Sequence, residues 1–496
     1  MTSQSYTRRS IVKTGALGAA AGLIPFPIWY EQYAAAGPVM TRYSIQSAQG
    51  AAMLAKYKTA VGIMMGKSAG DPCGWNFQWY THGVPDNTTK AAQVAALPVA
   101  QQALANLMWN TCQAHKAGTV EDYFLPWHRM YVYFFERIIR KVLNDPTFTL
   151  PYWDYTSASH RAVPPDFLSP SSGNALYRPD RNDGSGGTAN VKGGQPIDFG
   201  IPAPSPLDTD FQSAMAETTY SPSGAKQGFC MNLDQGLHGN DVHVLTGNTV
   251  GMGRVPWAAN DPVFYTHHCN IDRIWASWNR NGGKNPTSSS WLNHTFTFAD
   301  ENCNQVIGTI NDFKAIAPLS YTYDSFPGSK IFIDLSSILA KLKYLAVIQV
   351  IHLPIPPGPY HVILPAVQEG LKQPLAATLQ ALKPAERLHL VIRNLKTNVQ
   401  PGVLYRVYVG LQPESKELTN DAVPVGTFGF FDAEAMPGMD MTGDNGKFFS
   451  FDVTEALQGL ARRKRLGDRL NITFAPLGRG NAKAVPVIGS VELVQQ

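Results

Sequence analysis

Seven of the twelve histidines in this 496-residue chain fall into two clusters, and no other feature limits its possible folds as tightly. His82, His115 and His128 form the first cluster. His238, His243, His267 and His268 form the second. Each ends on a segment that reads as an aromatic-rich helix. Residues 126–144 (PWHRMYVYFFERIIRKVLN) place a proline in the first turn and set most polar residues to one side. Residues 261–279 (DPVFYTHHCNIDRIWASWN) have the same form, with Asp before Pro and a Gly-Gly stop at 282–283. A lone buried histidine is ordinarily a satisfied core residue. Two groups of three or more, each delivered by a helix, point instead to metal. All-imidazole sites suit copper, zinc, iron or nickel. A three-histidine zinc hydrolase needs only one such group. Two groups fit two like metals that share a small ligand such as O₂.

A chain of this length is expected to hold two to four domains at roughly 100–200 residues each. Residues 37–325 are aromatic-rich and carry the helical patterns, with further helices expected over 53–65 and 91–110 from their Ala, Leu and Met content. Residues 169–206, dense in Gly, Ser, Pro and Asn, read as a long surface loop. Beyond residue 326 the character changes. Short segments at 387–393, 403–409, 426–431, 448–453, 470–474 and 485–493 are rich in β-branched and aromatic residues, with turn residues between them. The fold expected is therefore a mainly α domain of helices and long loops around the histidines, followed by an all-β, sandwich-like domain over 326–496.

Residues 1–36 stand apart. Thr7-Arg8-Arg9-Ser10-Ile11-Val12-Lys13 is a twin-arginine pattern; a weakly apolar stretch follows, and Ala34-Ala35-Ala36 offers a cleavage site. Pro25 and Pro27 break an apolar run already too short to span a membrane. Export by the twin-arginine route, to the periplasm or beyond, is expected. No later segment is long enough to span, the apolar run at 344–355 included. The 41 basic and 37 acidic residues form no basic block, which gives nucleic-acid binding little support. Five cysteines (73, 112, 230, 269 and 303) are too few for a disulfide scaffold, and the odd count leaves at least one free or chemically used.

The two helical segments carry a resemblance. Phe124-Leu125-Pro126-Trp127-His128-Arg129 with Phe134-Phe135-Glu136-Arg137 resembles the first copper-binding signature of tyrosinases and polyphenol oxidases. The stretch from Asp261 through His267-His268 to Asp272-Arg273-Ile274-Trp275 resembles the second. Leu150 to Tyr155 looks like the segment after the first signature, and Tyr321-Thr322-Tyr323 like the tyrosine motif closing the catalytic domain of the plant enzymes. The resemblance implies a type 3 copper site with two copper ions. His82, His115 and His128 would hold the first, CuA; His238, His243 and His268 would hold the second, CuB. His267 lies about 100° around the helix from His268 and is expected to pack nearby or line the pocket. Asp272 would fix the tautomer of a ligand histidine or pair with Arg273 or Lys284.

Three spacings depart from the family pattern. His238 and His243 are five apart rather than four, which splays them by about 140° on an ideal helix. Either a π-type bulge realigns them or the helix starts between them. His115 lies thirteen residues before His128, not nine, so residues 116–121 would loop out. Gly239 follows the first CuB histidine, where enzymes that hydroxylate monophenols often carry Asn. Asp234, Gly239, Val244 and Val255 are the pocket residues the resemblance supplies as catalytic candidates. Asp234 takes the place of a water-holding carboxylate, and Val255 that of a gating Phe, leaving room for bulky phenols. Cys112 is either half of the family's thioether, to His115, or a free buried thiol.

The implied activity is oxidation of o-diphenols to o-quinones by O₂, with hydroxylation of monophenols or oxidation of o-aminophenols as variants. An O₂ carrier of the haemocyanin kind and a mononuclear zinc or iron enzyme are the competing readings. The partners expected are a small phenol and O₂. By analogy with the family, the β domain shields the site, and the turn at 428–438 offers Phe430, Phe431 or Met436 to the substrate mouth.

Overall fold

The computed structural model describes residues 38–113, 122–181, 211–247, 251–328, 343–352, 360–364, 375–410, 422–434, 448–466, 469–477 and 480–496. Its helices follow from local chemistry. Ser47 caps the helix Ala48–Met65, its Oγ accepting the Gly50 N–H at 3.0 Å. Pro98 has no N–H to give and its ring excludes the preceding turn, so the helix expected over 91–110 is divided into Lys90–Ala95 and Val99–Met108. The helix Phe124–Leu143 carries His128. It ends on Asn144 in the left-handed conformation, with Arg140 and Lys141 in its last turn facing the negative end of the helix dipole. The helix Val263–Arg280 carries His267 and His268. Asp261 starts it by accepting the Val263 N–H at 2.9 Å, and Arg181 holds that carboxylate at 2.6 and 2.7 Å.

These two helices pack on each other through aromatic rings. Phe135 stacks on Tyr265 with centroids 3.7 Å apart, and the Tyr131 and Tyr265 hydroxyls hydrogen-bond at 2.9 Å. A buried charge network locks them. Asp272, four residues beyond His268, pairs with Arg129, the neighbour of His128, and with Arg42 at 3.2 Å. The Tyr321 and Tyr323 hydroxyls donate to the same carboxylate, each at 2.6 Å. Arg42 also holds Glu136 at 2.9 Å. The tyrosines reach Asp272 because Met40–Arg42 and Tyr321–Tyr323 pair as parallel strands. Asp272 therefore neither meets a histidine nor pairs with Arg273 or Lys284; it is the hub joining both histidine-bearing helices. Arg273 turns to Asp154 at 2.9 Å.

The region after residue 343 is two four-stranded sheets. One runs Phe448–Asp452, Leu388–Arg393, Val487–Gln495, Lys343–His352; the other Tyr360–Leu364, Leu470–Pro476, Tyr405–Val409, Val423–Phe428. All these pairings are antiparallel. Leu388, Leu390 and Ile392 of the first sheet share one core with Val407, Ile472 and Phe474 of the second, as in a sandwich. The apolar run at 344–355 is largely an outer strand of this sandwich. Among the described residues, no helix is long and apolar enough to cross a membrane.

The helical part has its own, larger core, and two side chains from the β region, Leu404 and Phe431, belong to it. Phe448, Val391 and Val494 meet Ala225 and Met231 at a second contact. Cys73 and Cys303 form a disulfide, and Cys112, Cys230 and Cys269 are in no disulfide among the described residues.

Candidate dinuclear metal centre

Two groups of potential ligands stand out among the described residues: His238, His243, His267 and His268 in one, and His82, Cys112 and His128 in the other. His115 lies outside the described residues, as does Met436. His82 ends the short helix Trp75–His82 and lies 5.8 Å from His128, ring centre to ring centre. The two groups are contiguous. His268 stacks on His128 at 4.2 Å with the rings 6° from parallel, and lies 5.0 Å from His238.

The five-residue spacing of His238 and His243 is resolved by a π-helix over Asp234–Val244. Its i→i+5 hydrogen bonding brings residues five apart nearly into line, and the two rings sit 4.4 Å apart. Backbone carbonyls then set the tautomers. His128 Nδ1 donates to the Phe124 carbonyl at 2.8 Å, His238 Nδ1 to that of Asp234 at 3.1 Å, and His243 Nδ1 to that of Met252 at 2.6 Å. A carbonyl only accepts, so the proton of each neutral ring lies on Nδ1 and the lone pair on Nε2. Burial, and after it neighbouring imidazoles, holds His243, His267 and His268 well below the usual histidine pKa. Neutral imidazole is the form that binds a metal. The buried Nε2 atoms of His243, His267 and His268 have no hydrogen-bond partner. Imidazoles with lone pairs free in a dry pocket fit copper.

The pocket candidates lie as follows. The buried Asp234 carboxylate has Oδ1 3.0 Å from His238 Nδ1. A Cβ on Gly239 would come 3.0 Å from the Asp234 carbonyl and 3.4 Å from the Phe431 ring, which leaves little room for any side chain. Val244 and Val255 are buried, the latter opening the short helix Val255–Ala258. Phe431 lies 4.4 Å from the His243 ring, inclined 30°, and 6.0 Å from His238. Phe430 instead faces the sandwich core against Tyr405 and Phe428. Cys112 Sγ lies 3.7 Å from His128 Nε2. His267 lies beside the other histidines of its group, 5.3 Å from His238 and 5.1 Å from His243.

Two further residues shape the site. Phe264 lies 4.2 Å from His268 and 4.8 Å from His82; Phe124 lies 4.8 Å from His128 and 4.6 Å from His238. Together they wall both groups from water. Each sits four residues before a histidine on its helix, and that i, i+4 spacing was the signal that could have revealed them.

Comparison with known proteins follows the same division of the chain. Residues 72–198 and 203–281 match the family described as the common central domain of tyrosinase. Residues 361–496 match a family described only as a domain of unknown function. Tyrosinase HcTyr1 of Hahella sp. (strain CCB-MM4) is 27% identical over 475 residues, 89% of this chain and 96% of that protein. Polyphenol oxidase E, chloroplastic, of Solanum lycopersicum is 32% identical, but over 41% of this chain and 38% of its own length. The structure of latent apple tyrosinase is similar with a TM-score of 0.58 at 21% identity, over 94% of this chain and 99% of that one. A recombinantly expressed latent aurone synthase (polyphenol oxidase) gives 0.60 at 20% identity, over 95% and 91%. At such identities the structural likeness speaks to the fold alone.

Proposed function

The chain belongs to the tyrosinase and polyphenol oxidase family of type 3 copper proteins, and from that premise we propose that it favours o-diphenols over monophenols. It is a copper oxidoreductase that turns phenols into o-quinones with O₂ at a two-copper site. The observation that carries this is the contact of the two histidine groups through His268 and His128. Copper supplies O₂ binding and electron transfer. The chain fixes the lone pairs of its imidazoles through backbone carbonyls, and Phe124 and Phe264 exclude water. A catechol gives up two electrons and two protons per quinone formed. A monophenol must first lose a proton whose pKa is near 10. Gly239 has no amide with which to hold a water for that step.

The test compares catechol and tyrosine turnover in the copper-loaded protein and in Gly239→Asn, with Gly239→Ala as the control for bulk pressed against Phe431. Catechol oxidation should exceed tyrosine hydroxylation by a wide margin. Gly239→Asn should raise the hydroxylase share where Gly239→Ala does not. Efficient tyrosine hydroxylation by the unaltered protein would refute the preference. His128→Ala or His268→Ala should abolish oxidation and lower bound copper.

The same reading makes the enzyme latent. The Phe431 ring on His243 stands where a phenol ring would approach, and it is buried there. Phe431→Ala should raise catechol turnover; unchanged kinetics in a folded variant would remove the idea. The division into a dicopper domain at 37–325 and a β domain at 326–496 is supported by the two separate cores, and a signal at 1–36 by its twin-arginine pattern. Export by the twin-arginine route is supported by the Cys73–Cys303 disulfide, since such bonds persist in oxidising compartments. N-terminal sequencing of the secreted or periplasmic protein, expected to begin near Gly37, tests both.

A further inference from the structure

We propose that Gln227 is a positioning residue for the second histidine group: its buried amide ties the edge of the first β-sheet to the start of the π-helix and so holds His238 and His243 in register. The inference rests on the reading of the histidines as a copper centre, and it gives the β region a second part there, support as well as cover.

The π-helix Asp234–Val244 needs support from outside itself. Such helices are rare and ordinarily last a single turn. Relaxation of this one to the α period would splay His238 and His243 by about 140°. Most helical stability in proteins comes from tertiary packing, and here packing has to hold the longer period.

The contacts begin at the first turn. The helix Gly228–Leu233 runs directly into the π-helix, and Gln227 stands at its head. The two N–H bonds of the Gln227 amide serve two acceptors. Nε2 donates to the Phe448 carbonyl at 2.6 Å and to Gln235 Oε1 at 3.4 Å. Phe448 opens the strand Phe448–Asp452, the outermost of the four in its sheet. Gln235 is the second residue of the π-helix, three before His238. Both glutamines are buried. A strand carbonyl and a helix side chain thus share one donor group away from water. Removing it leaves both acceptors unmade, which is costly in a buried place.

Flanking contacts keep that amide in place. Gln496 grips the turn at 223–226: its Oε1 accepts the Ala225 N–H at 2.6 Å, and its Nε2 donates to the Ser223 carbonyl at 3.2 Å. Backbone hydrogen bonds with Arg387, at 2.7 and 3.0 Å, fix Gln496 to the sheet. Ala225 and Met231, on either side of Gln227 in sequence, pack with Phe448, Val391 and Val494. Further along the π-helix, Asn240 meets the β region at Gly429, where a Cβ would come 2.6 Å from Asn240 Oδ1. The β region therefore touches the π-helix in its middle and holds its start through Gln227.

The test uses the full-length chain and two variants. Gln227→Met keeps nearly the same shape and removes the donor. Gln496→Ala loosens the grip on the turn from the β side. Backbone hydrogen exchange is measured on the chelator-stripped proteins, and affinity for each copper by competition with a copper(I) chelator. In Gln227→Met, exchange over 234–244 should quicken while that over 124–143 stays as it was. One of the two coppers should be held about 10- to 100-fold more weakly, and the other as before. Gln496→Ala should move both readings in the same direction and by less. Unchanged exchange over 234–244 would overturn the assignment, as would faster exchange with both coppers held as tightly as in the unaltered chain. So would an equal weakening of both coppers with a lowered melting temperature of the stripped protein, which is general destabilisation. Should Gln227→Met fail to fold, Gln496→Ala decides alone. An unaltered chain that binds no copper defeats the copper reading, and the exchange measurement then still decides whether Gln227 holds the π-helix.

Discussion

At the scale of single residues, Asp272 shows how much one side chain can hold. Its burial opposes ionisation, but Arg129 and then Arg42, with the Tyr321 and Tyr323 hydroxyls, overcome this and keep its pKa below the ordinary value. Removing one partner from such a group strands the others as buried charges. Asp272→Ala should therefore lower unfolding stability by roughly 3–5 kcal/mol, read from denaturant midpoints. The pH dependence follows from the depressed pKa. A carboxylate ionised more readily in the folded state contributes stability above its unfolded pKa, near 3.9. That contribution is lost as pH falls through the lower folded value. Stability of the unaltered protein should drop below about pH 4, and Asp272→Asn should show a flatter profile there. Equal slopes in the two proteins would show that other carboxylates dominate.

At the scale of elements, the π-helix Asp234–Val244 is the unit on which the second histidine group depends. Sequence spacing posed the problem, two candidate histidines splayed apart on an ideal helix, and admitted two solutions. The structure adopts the one that keeps a continuous helical run and changes its period. By contrast, the helix Ala48–Met65 rests on ordinary capping: Ser47→Ala should cost about 1 kcal/mol in thermal unfolding, with copper content unaffected. Helices were legible in sequence wherever the pattern was long and unbroken, as around His128 and His268. They were misjudged at Pro98, where one missing N–H outweighed a favourable composition. The strands near 388–393 and 448–452 were legible from β-branched and aromatic residues, whereas the strand Lys343–His352 read only as an apolar run.

At the scale of the molecule, the β region is joined to the histidine-bearing helical part by more than Phe431. Arg254 pairs with Asp86 at 2.8 Å on its own side and with Glu434 of the β region. Glu434 lies three residues beyond Phe431, so this ion pair pins the segment that seats the ring on His243. Arg254→Met should loosen that segment and raise catechol turnover, with a matching rise in proteolytic cleavage near residue 434. A variant equally closed by both measures would show that the apolar contacts of Leu404 and Phe431 suffice. The Cys73–Cys303 disulfide ties the segment before His82 to the hairpin Thr295–Thr309. Replacing both cysteines by Ser should lower stability by about 2–5 kcal/mol, seen as a lower melting temperature.

The sequence by itself determined the ligand type, the two helices that deliver His128 and His268, and the change from helical to β character after residue 326. These are local properties: residue chemistry, turn signals and hydrophobic period act over a few neighbours. Only the tertiary structure decided which imidazoles meet, which cysteines pair, what neutralises Asp272, and that Phe431 rather than Phe430 covers His243. Each of those depends on segments tens to hundreds of residues apart. Their approach is set by packing of the whole chain, and no periodicity in the sequence records it. His267 marks the boundary between the two. Its helix and its angle from His268 follow from sequence alone, but its neighbours depend on where the fold puts His238, His243 and Tyr155.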